Sequence, residues 1–232
     1  LVSTGRDMST KLTEVATQRF VDNITSITPG ALRGGVHSLA RHPEKDEILV
    51  GGSDGMPQIY RMIRKTERKI GDNANLIRKF PVMEGRIYAV DYSPDGKRIV
   101  AASSLNSRGH INIYSADFDS TIPTNVVEAF KKVVSSQTPA EKEAVEKYYT
   151  SDVKLLHAVQ IPTGMFAISF SPDGGTIAAA GEDGVIRLVD TDAGKVRKEF
   201  ASVPVKNRFA SRDRRKDNPA LPQPNSSESK PE

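Results

Sequence analysis

The chain has 232 residues, 37% of them hydrophobic and 6% aromatic, with no tryptophan and no cysteine. This palette of small and β-branched side chains suits many short strands, and the lack of cysteine excludes disulfides, thiolate nucleophiles, thiolate metal sites and covalent haem attachment within the sequence. The net charge of +4 is concentrated from residue 204 onward, where seven Lys/Arg face four Asp/Glu, which argues against a nucleic-acid binder with a basic folded body.

The opening LVSTGRD is neither a start methionine nor a signal peptide, and the N-terminus reads as a cut made inside a larger protein. Asp7 and Glu14 are seven residues apart, as are Asp54 and Arg61, and Asp183 and Asp190. This register makes residues 1–15 the last two strands of a repeat whose beginning is missing. Three fuller copies follow: VHSLARHPEKDEILVGGSDGMPQIYRM from Val36, IYAVDYSPDGKRIVAASSLNSRGHINIYSA from Ile87, and FAISFSPDGGTIAAAGEDGVIRLVDT from Phe166.

In each copy an apolar run ends in a Pro turn (His42-Pro43, Ser93-Pro94, Ser171-Pro172) and resumes as a second run at 48–50, 99–102 or 177–180. Such short β-branched runs, bounded by Gly, Pro and Asp, predict strands. Pro43 and Pro172 each stand 12 residues before an Asp-Gly glycine, Gly55 after Asp54 and Gly184 after Asp183; Asp-Gly is a strong hairpin signal. The middle copy has 15 residues between Pro94 and Gly109, with Arg108 in place of the Asp, so its hairpin is predicted to carry three extra residues. Structural turn roles fall to Asp7, Asp54, Gly55, Pro94, Asp95, Gly96, Gly109, Pro172, Asp173, Gly174, Asp183 and Gly184.

Two connections are long, 62–75 and 117–152. The second is predicted to hold two helices: an amphipathic stretch over 125–134, then a capping box at Thr138-Pro139-Ala140-Glu141 opening a helix that runs to Tyr148. After Val203 the composition turns to Pro, Ser, Asn, Lys and Arg, so residues from about 206 are predicted to be a disordered basic tail. No apolar run approaches the roughly 18 residues needed to span a bilayer.

The turn and strand spacing resembles the WD-repeat family. VIRLVDTDAGK is similar to the last strand of a WD repeat, with Val189-Asp190 at the position of the Trp-Asp pair, and FSPDG and GEDG resemble the family's inner turns. The Trp and the opening Gly-His pair are absent, and only the last copy keeps the terminal Asp. The resemblance implies an all-β fold, a partial β-propeller of about three and a half blades with a helical insertion at 118–152. Its blades are placed at about 19–62, 75–117 and 153–191, with a closing strand at about 196–205 joining strands from upstream, since complete propellers have typically four to eight blades. RFVDNITSITPGALRGGVHSLARHP, GRIYAVDYSPDG and VRKEFASVPV further resemble WD-repeat proteins of planctomycete-type bacteria. In that group the propeller is often fused to a c-type cytochrome domain, which implies a periplasmic or cell-envelope setting; no CxxCH is present here to carry a haem.

Loops alternate between the two faces of an antiparallel blade. With the SPDG turns read as second-to-third connections and 62–75 and 117–152 as links between blades, all emerge on one face. Loops of that length are enriched for function. Candidate interaction residues are Arg64, Lys65 and Arg68 in the first, and Phe130, Tyr148 and Tyr149 in the second. The four histidines sit at no metal-ligand spacing, the Asp117/Asp119 and Asp190/Asp192 pairs lack the other ligands of a calcium loop, and no GxSxG, GxGxxG or phosphate loop occurs. The reading is a non-catalytic scaffold for a protein partner or a neighbouring domain of the same polypeptide, with no cofactor, no nucleic acid and no membrane span. The alternative is a propeller enzyme, lactonase or quinoprotein-like, with a central-channel site.

Overall fold

The structure is a computed structural model and describes residues 1–6, 9–25, 34–69 and 71–202. Its strands form four antiparallel sheets. The first holds β1 (Val2–Thr4), β2 (Thr10–Thr13) and β3 (Phe20–Asn23). The second holds β4 (Val36–Arg41), β5 (Glu47–Gly52), β6 (Gln58–Arg61) and β7 (Leu76–Lys79). The third holds β8 (Arg86–Tyr92), β9 (Arg98–Leu105), β10 (Arg108–Ser115) and β11 (Lys154–Ile161). The fourth holds β12 (Met165–Phe170), β13 (Thr176–Gly181), β14 (Val185–Asp190) and β15 (Lys195–Ala201). Between β10 and β11 stand α1 (Thr124–Phe130), a 3-10 turn at Val134–Ser136 and α2 (Pro139–Thr150). The array is an unclosed, partial β-propeller with a helical insertion.

Neighbouring sheets meet through small and β-branched side chains. Leu49, Ile59 and Ile77 of the second sheet pack on Ile87, Val90, Ile99 and Ala101 of the third. Val100, Ala102, Ile111 and Ile113 then meet Met165, Ile177, Ala179 and Val189 of the fourth. Full burial of one such aliphatic side chain stabilises by about 1.5–3 kcal/mol. The first strands β4, β8 and β12 lie side by side, and polar side chains tie them: Ser38 Oγ accepts from the Val90 N–H at 3.1 Å, and Asp91 Oδ2 accepts from the Phe170 N–H at 2.9 Å. The fourth sheet's other face carries Ala178 and Ala180 and leaves Phe200 41% exposed.

The strand order corrects the phase of the repeat. β3, β7 and β11 complete the ladders of β2, β6 and β10, the last from Gly109↔Ile161 to Ser115↔Lys154. Each repeat as read from sequence therefore takes its first strand from the preceding sheet. The long connections run between the third and fourth strands of one sheet, and the SPDG turns between the first and second. Loops of both kinds still share a face, because two strands separate them. The strand expected to close a ring with upstream sequence instead pairs with β14, from Val185↔Ala201 to Asp190↔Lys195. Val196 opposes Val189 on the packed face, and Arg187 bonds Glu199 at 3.0 Å, so the partner is local.

Two further expectations change. The middle hairpin turns at Asn106 and Ser107, both at positive φ (51° and 58°), and the extra residues lengthen β9 and β10. Gly109 therefore lies inside β10, paired with Ser104, and has no turn role. A Cβ there would stand 2.4 Å from Met165 Cγ and 2.5 Å from Thr163 O, so glycine permits the third and fourth sheets to approach. The first helix stops at Phe130, short of Val134, and Ala129 O at its end accepts from the Lys132 N–H at 3.1 Å and from Gln137 Nε2 at 2.8 Å.

His42 occupies a seam between sheets. Its Nδ1 accepts from the N–H groups of Glu44 (3.1 Å) and Lys45 (3.0 Å), which fixes the neutral tautomer. The ring lies edge-on to Tyr92 at 5.1 Å and faces Gly96, where a Cβ would come within 2.5 Å of it. Burial, then Lys45, lowers the His42 pKa below its ordinary 6.5. The unfolded chain thus takes up a proton that the folded one refuses, so this contribution to stability is complete above the unfolded value and is lost as pH falls from there through the lowered folded one. The unfolding midpoint in urea should drop between pH 7.5 and 5, and the drop should shrink in His42→Asn; an equal drop in both proteins contradicts the assignment. In a second measurement, Gly109→Ala should cost about 1–3 kcal/mol from overpacking, and a midpoint equal to the parent's contradicts the close approach.

Candidate functional site

The helical insertion leaves the third sheet and docks on the second. α2 lies against the edge strand β7, and Val126, Phe130, Tyr148 and Tyr149 join Ile48, Tyr60 and Leu76 in one core. The capping box forms as the sequence predicts, with Thr138 Oγ1 accepting from the Glu141 N–H and Glu141 Oε2 accepting from the Thr138 N–H at 2.8 Å. Tyr149 Oη donates to Asn73 O at 3.0 Å, and Lys79 Nζ reaches Glu146 Oε2 at 2.7 Å.

Two buried arginines hold the root of the insertion. Arg61 donates to Ser120 O and, at 2.7 Å, to Tyr148 Oη. Arg78, 2% exposed, donates to Ile77 O and Asp119 O, both at 2.8 Å. Its guanidinium stands 4.6 Å from the Phe118 ring centre and 4.9 Å from that of Tyr148. Among the described residues neither arginine pairs with a carboxylate within 4 Å. Burial lowers the Arg78 pKa, Tyr148 opposes that shift, and the like charge of Arg61 adds to it. Carbonyl oxygens and aromatic faces thus take the place of counter-ions.

The residues singled out in the two long loops separate into different roles. Arg64 forms a bidentate pair with Asp72, both bonds 3.0 Å, and Arg68 bonds Asp22 and Asn23 O. These arginines are used in pinning the 62–75 loop to β3 and are not free for an anion. Phe130, Tyr148 and Tyr149 are 3–5% exposed, which corrects their reading as contact surface: aromatic rings at helical spacing are buried because they attach the insertion. Lys65 is exposed and lines an open cavity of about 360 Å³ with Lys69, Val127, Lys131 and the buried edge of Phe130. A second cavity of about 190 Å³, which also has Phe130 in its lining, is bounded by Asn73, Val134, Lys142, Val145 and Tyr149.

The turn residues serve their own loops. Asp54 Oδ1 accepts from the Met56 N–H, Asp95 from Lys97, Asp173 from Gly175 and Asp183 from Val185, at 3.0–3.1 Å. Gly55, Gly96, Gly174 and Gly184 all hold φ near +70°, and the turns behind Pro94 and Pro172 close by Gly96 N–H to Ser93 O and Gly174 N–H to Ser171 O. Asp7 lies outside the described residues, as does the chain from 203 onward.

A feature the sequence reading passed over sits on the first strands. The ladders of β4, β8 and β12 each skip one residue, between Val36 and Ser38, Ile87 and Ala89, and Met165 and Ala167. The skipped residues are His37, Tyr88 and Phe166. Bulges re-aim side chains, and these three rings form a contiguous arc: His37 stacks on Tyr88 at 5.7 Å and 15°, and Tyr88 meets Phe166 edge-on at 5.1 Å. His37 Nε2 is 2.8 Å from Ser53 Oγ, and Phe166 is 48% exposed. The signal was present in VHS, IYA and MFA, where a ring follows the buried aliphatic residue at one place in each copy.

Tyr148→Phe should cost about 1–3 kcal/mol, because it strands a buried donor of Arg61, whereas Lys65→Ala should stay within about 0.5 kcal/mol of the parent. Equal urea midpoints for Tyr148→Phe and the parent contradict the role given to the arginine knot.

Among the described residues, no group of three or more His, Cys, Asp or Glu could hold a metal ion, and no helix is long and apolar enough to cross a membrane. No curated protein matches the chain. The family described as WD domain, G-beta repeat matches residues 75–122 and 156–190. These segments run from the edge of the second sheet into the third, and from β11 to the end of β14. A WD40 repeat domain is therefore present over part of the chain, which supports a general WD-repeat likeness and carries no information on a bacterial group or a cytochrome fusion.

Proposed function

We propose that the chain is a non-catalytic interaction scaffold that binds a protein partner or a neighbouring domain of the same polypeptide. The observation that carries this reading is the arc of His37, Tyr88 and Phe166, three rings that bulges turn away from the core at equivalent positions of three first strands. Aromatic side chains offer large rigid contact area at low entropic cost and dominate binding energy at protein interfaces. The WD40 match over the third and fourth sheets supports the reading. So does the employment of the carboxylates: Asp91, on the first strand β8, bonds Phe170 N–H and Ser169 Oγ, and the turn aspartates bond their own loops. Attachment to a c-type cytochrome domain belongs to this proposal only through the family resemblance.

The test is a peptide-display selection on residues 1–232, followed by affinity measurement on a triple variant, His37→Ser with Tyr88→Ser and Phe166→Ser. All three side chains are at least partly exposed, so the variant should keep the parent's unfolding midpoint. Selected peptides should bind it about tenfold more weakly or worse, equivalent to about 1.4 kcal/mol. Binders that hold the triple variant as tightly as the parent would sink the assignment.

A further inference from the structure

Resting on that scaffold reading, we infer that the cleft between the 62–75 loop and the helical insertion is a second binding site, selective for an acidic peptide segment with an apolar anchor. Two cavities, about 360 and 190 Å³, share Phe130 in their linings. Both linings set apolar side chains among charged and polar ones: Val127 and Phe130 in the larger, and Phe130, Val134, Val145 and Tyr149 in the smaller. Val134 is 36% exposed. A pocket of this size takes one aliphatic or aromatic side chain in each half.

Charge decides the class of occupant. Four lysines line the two cavities, Lys65, Lys69, Lys131 and Lys142, against Glu67 and Asp72. Asp72 is committed to Arg64, and Glu67 lies 3.2 Å from Lys69. Lys131 pairs with Glu128 across an exposed helix surface, with the two side chains 62% and 57% exposed, a contact water competes with strongly. Lys65 and Lys142 have no carboxylate within 4 Å among the described residues, so the cleft presents unpaired positive charge at both ends of an apolar floor. A basic or purely apolar segment would leave both lysines unneutralised.

The probe is a short fluorescein-labelled peptide of aspartates around a Leu-Phe-Leu centre, compared by anisotropy with a counterpart bearing lysine for each aspartate. At low ionic strength the acidic peptide should bind residues 1–232 and the basic one should not. Raising the salt should weaken the complex, since exposed charges are screened. Lys65→Glu with Lys142→Glu, both exposed or half-exposed and outside the core, should weaken it about tenfold or more. In hydrogen exchange, protection on binding should fall on residues 65–73 and 127–145. The triple substitution in the aromatic arc should leave this affinity unchanged, which separates failure of the cleft from failure of the scaffold reading. Equal binding of the two peptides, or an acidic-peptide affinity untouched by the charge reversal, would overturn the proposal.

Discussion

Two buried guanidiniums and the carbonyls they grip are the contact on which the rest of this fold turns. The third sheet is completed only when β11 returns to β10 after 38 intervening residues, and a loop that long must be held by something other than its own hydrogen bonds. Arg61 and Arg78 bond the carbonyls of Ser120 and Asp119 where the chain leaves β10, and Tyr148, near the end of α2, closes the knot through its hydroxyl and ring. Buried arginines with no carboxylate are costly unless backbone oxygens and ring faces replace the lost water. Here carbonyl oxygens and ring faces do so for part of each guanidinium, with Arg61 Nη1 and Arg78 Nε buried without a hydrogen-bond partner among the described residues, and the two ends of the insertion are fixed to the neighbouring sheet.

Consequences spread in both directions from that knot. α2 covers the open edge of β7, which would otherwise offer unpaired backbone groups to another strand. Because the insertion belongs to the third sheet and rests on the second, it fixes their relation as the packing of Leu49, Ile59 and Ile77 does from within. The same docking brings α1 beside the 62–75 loop, which Arg64 and Arg68 hold to Asp22 of β3 and which the Arg64–Asp72 pair braces from within. The cleft between them follows from two anchored elements. The aromatic arc rests on a separate cause, the single skipped residue in each first strand.

Much of this was legible in the sequence for local reasons. Asp-Gly pairs, SPDG turns and alternating aliphatic runs depend on neighbours within a few residues, and the capping box at Thr138 and Glu141 is local too. What the sequence withheld was pairing. Whether 154–161 begins one sheet or ends another depends on a ladder formed across the whole insertion, and the repeat as written is offset by one strand from the sheet as built. Solvent exposure was likewise hidden: Tyr148 and Tyr149 look alike in sequence to any surface pair until β7 is placed beneath them. His37, Tyr88 and Phe166 were obscured because alternation assigns a face to each residue, and a bulge breaks alternation. Gly109 resembles a turn residue because a longer interval from Pro94 is the same in sequence whether it lengthens a loop or, as here, extends two strands.

Insertion and edge strand form one structural unit. Native-state hydrogen exchange of residues 1–202 within the full chain tests it most directly, since amides that open together share one free energy. The interior amides of α2 and those of β7 should exchange with the same opening free energy and the same denaturant dependence. Exchange of α2 at the rate of an unstructured peptide while β7 remains protected would contradict it.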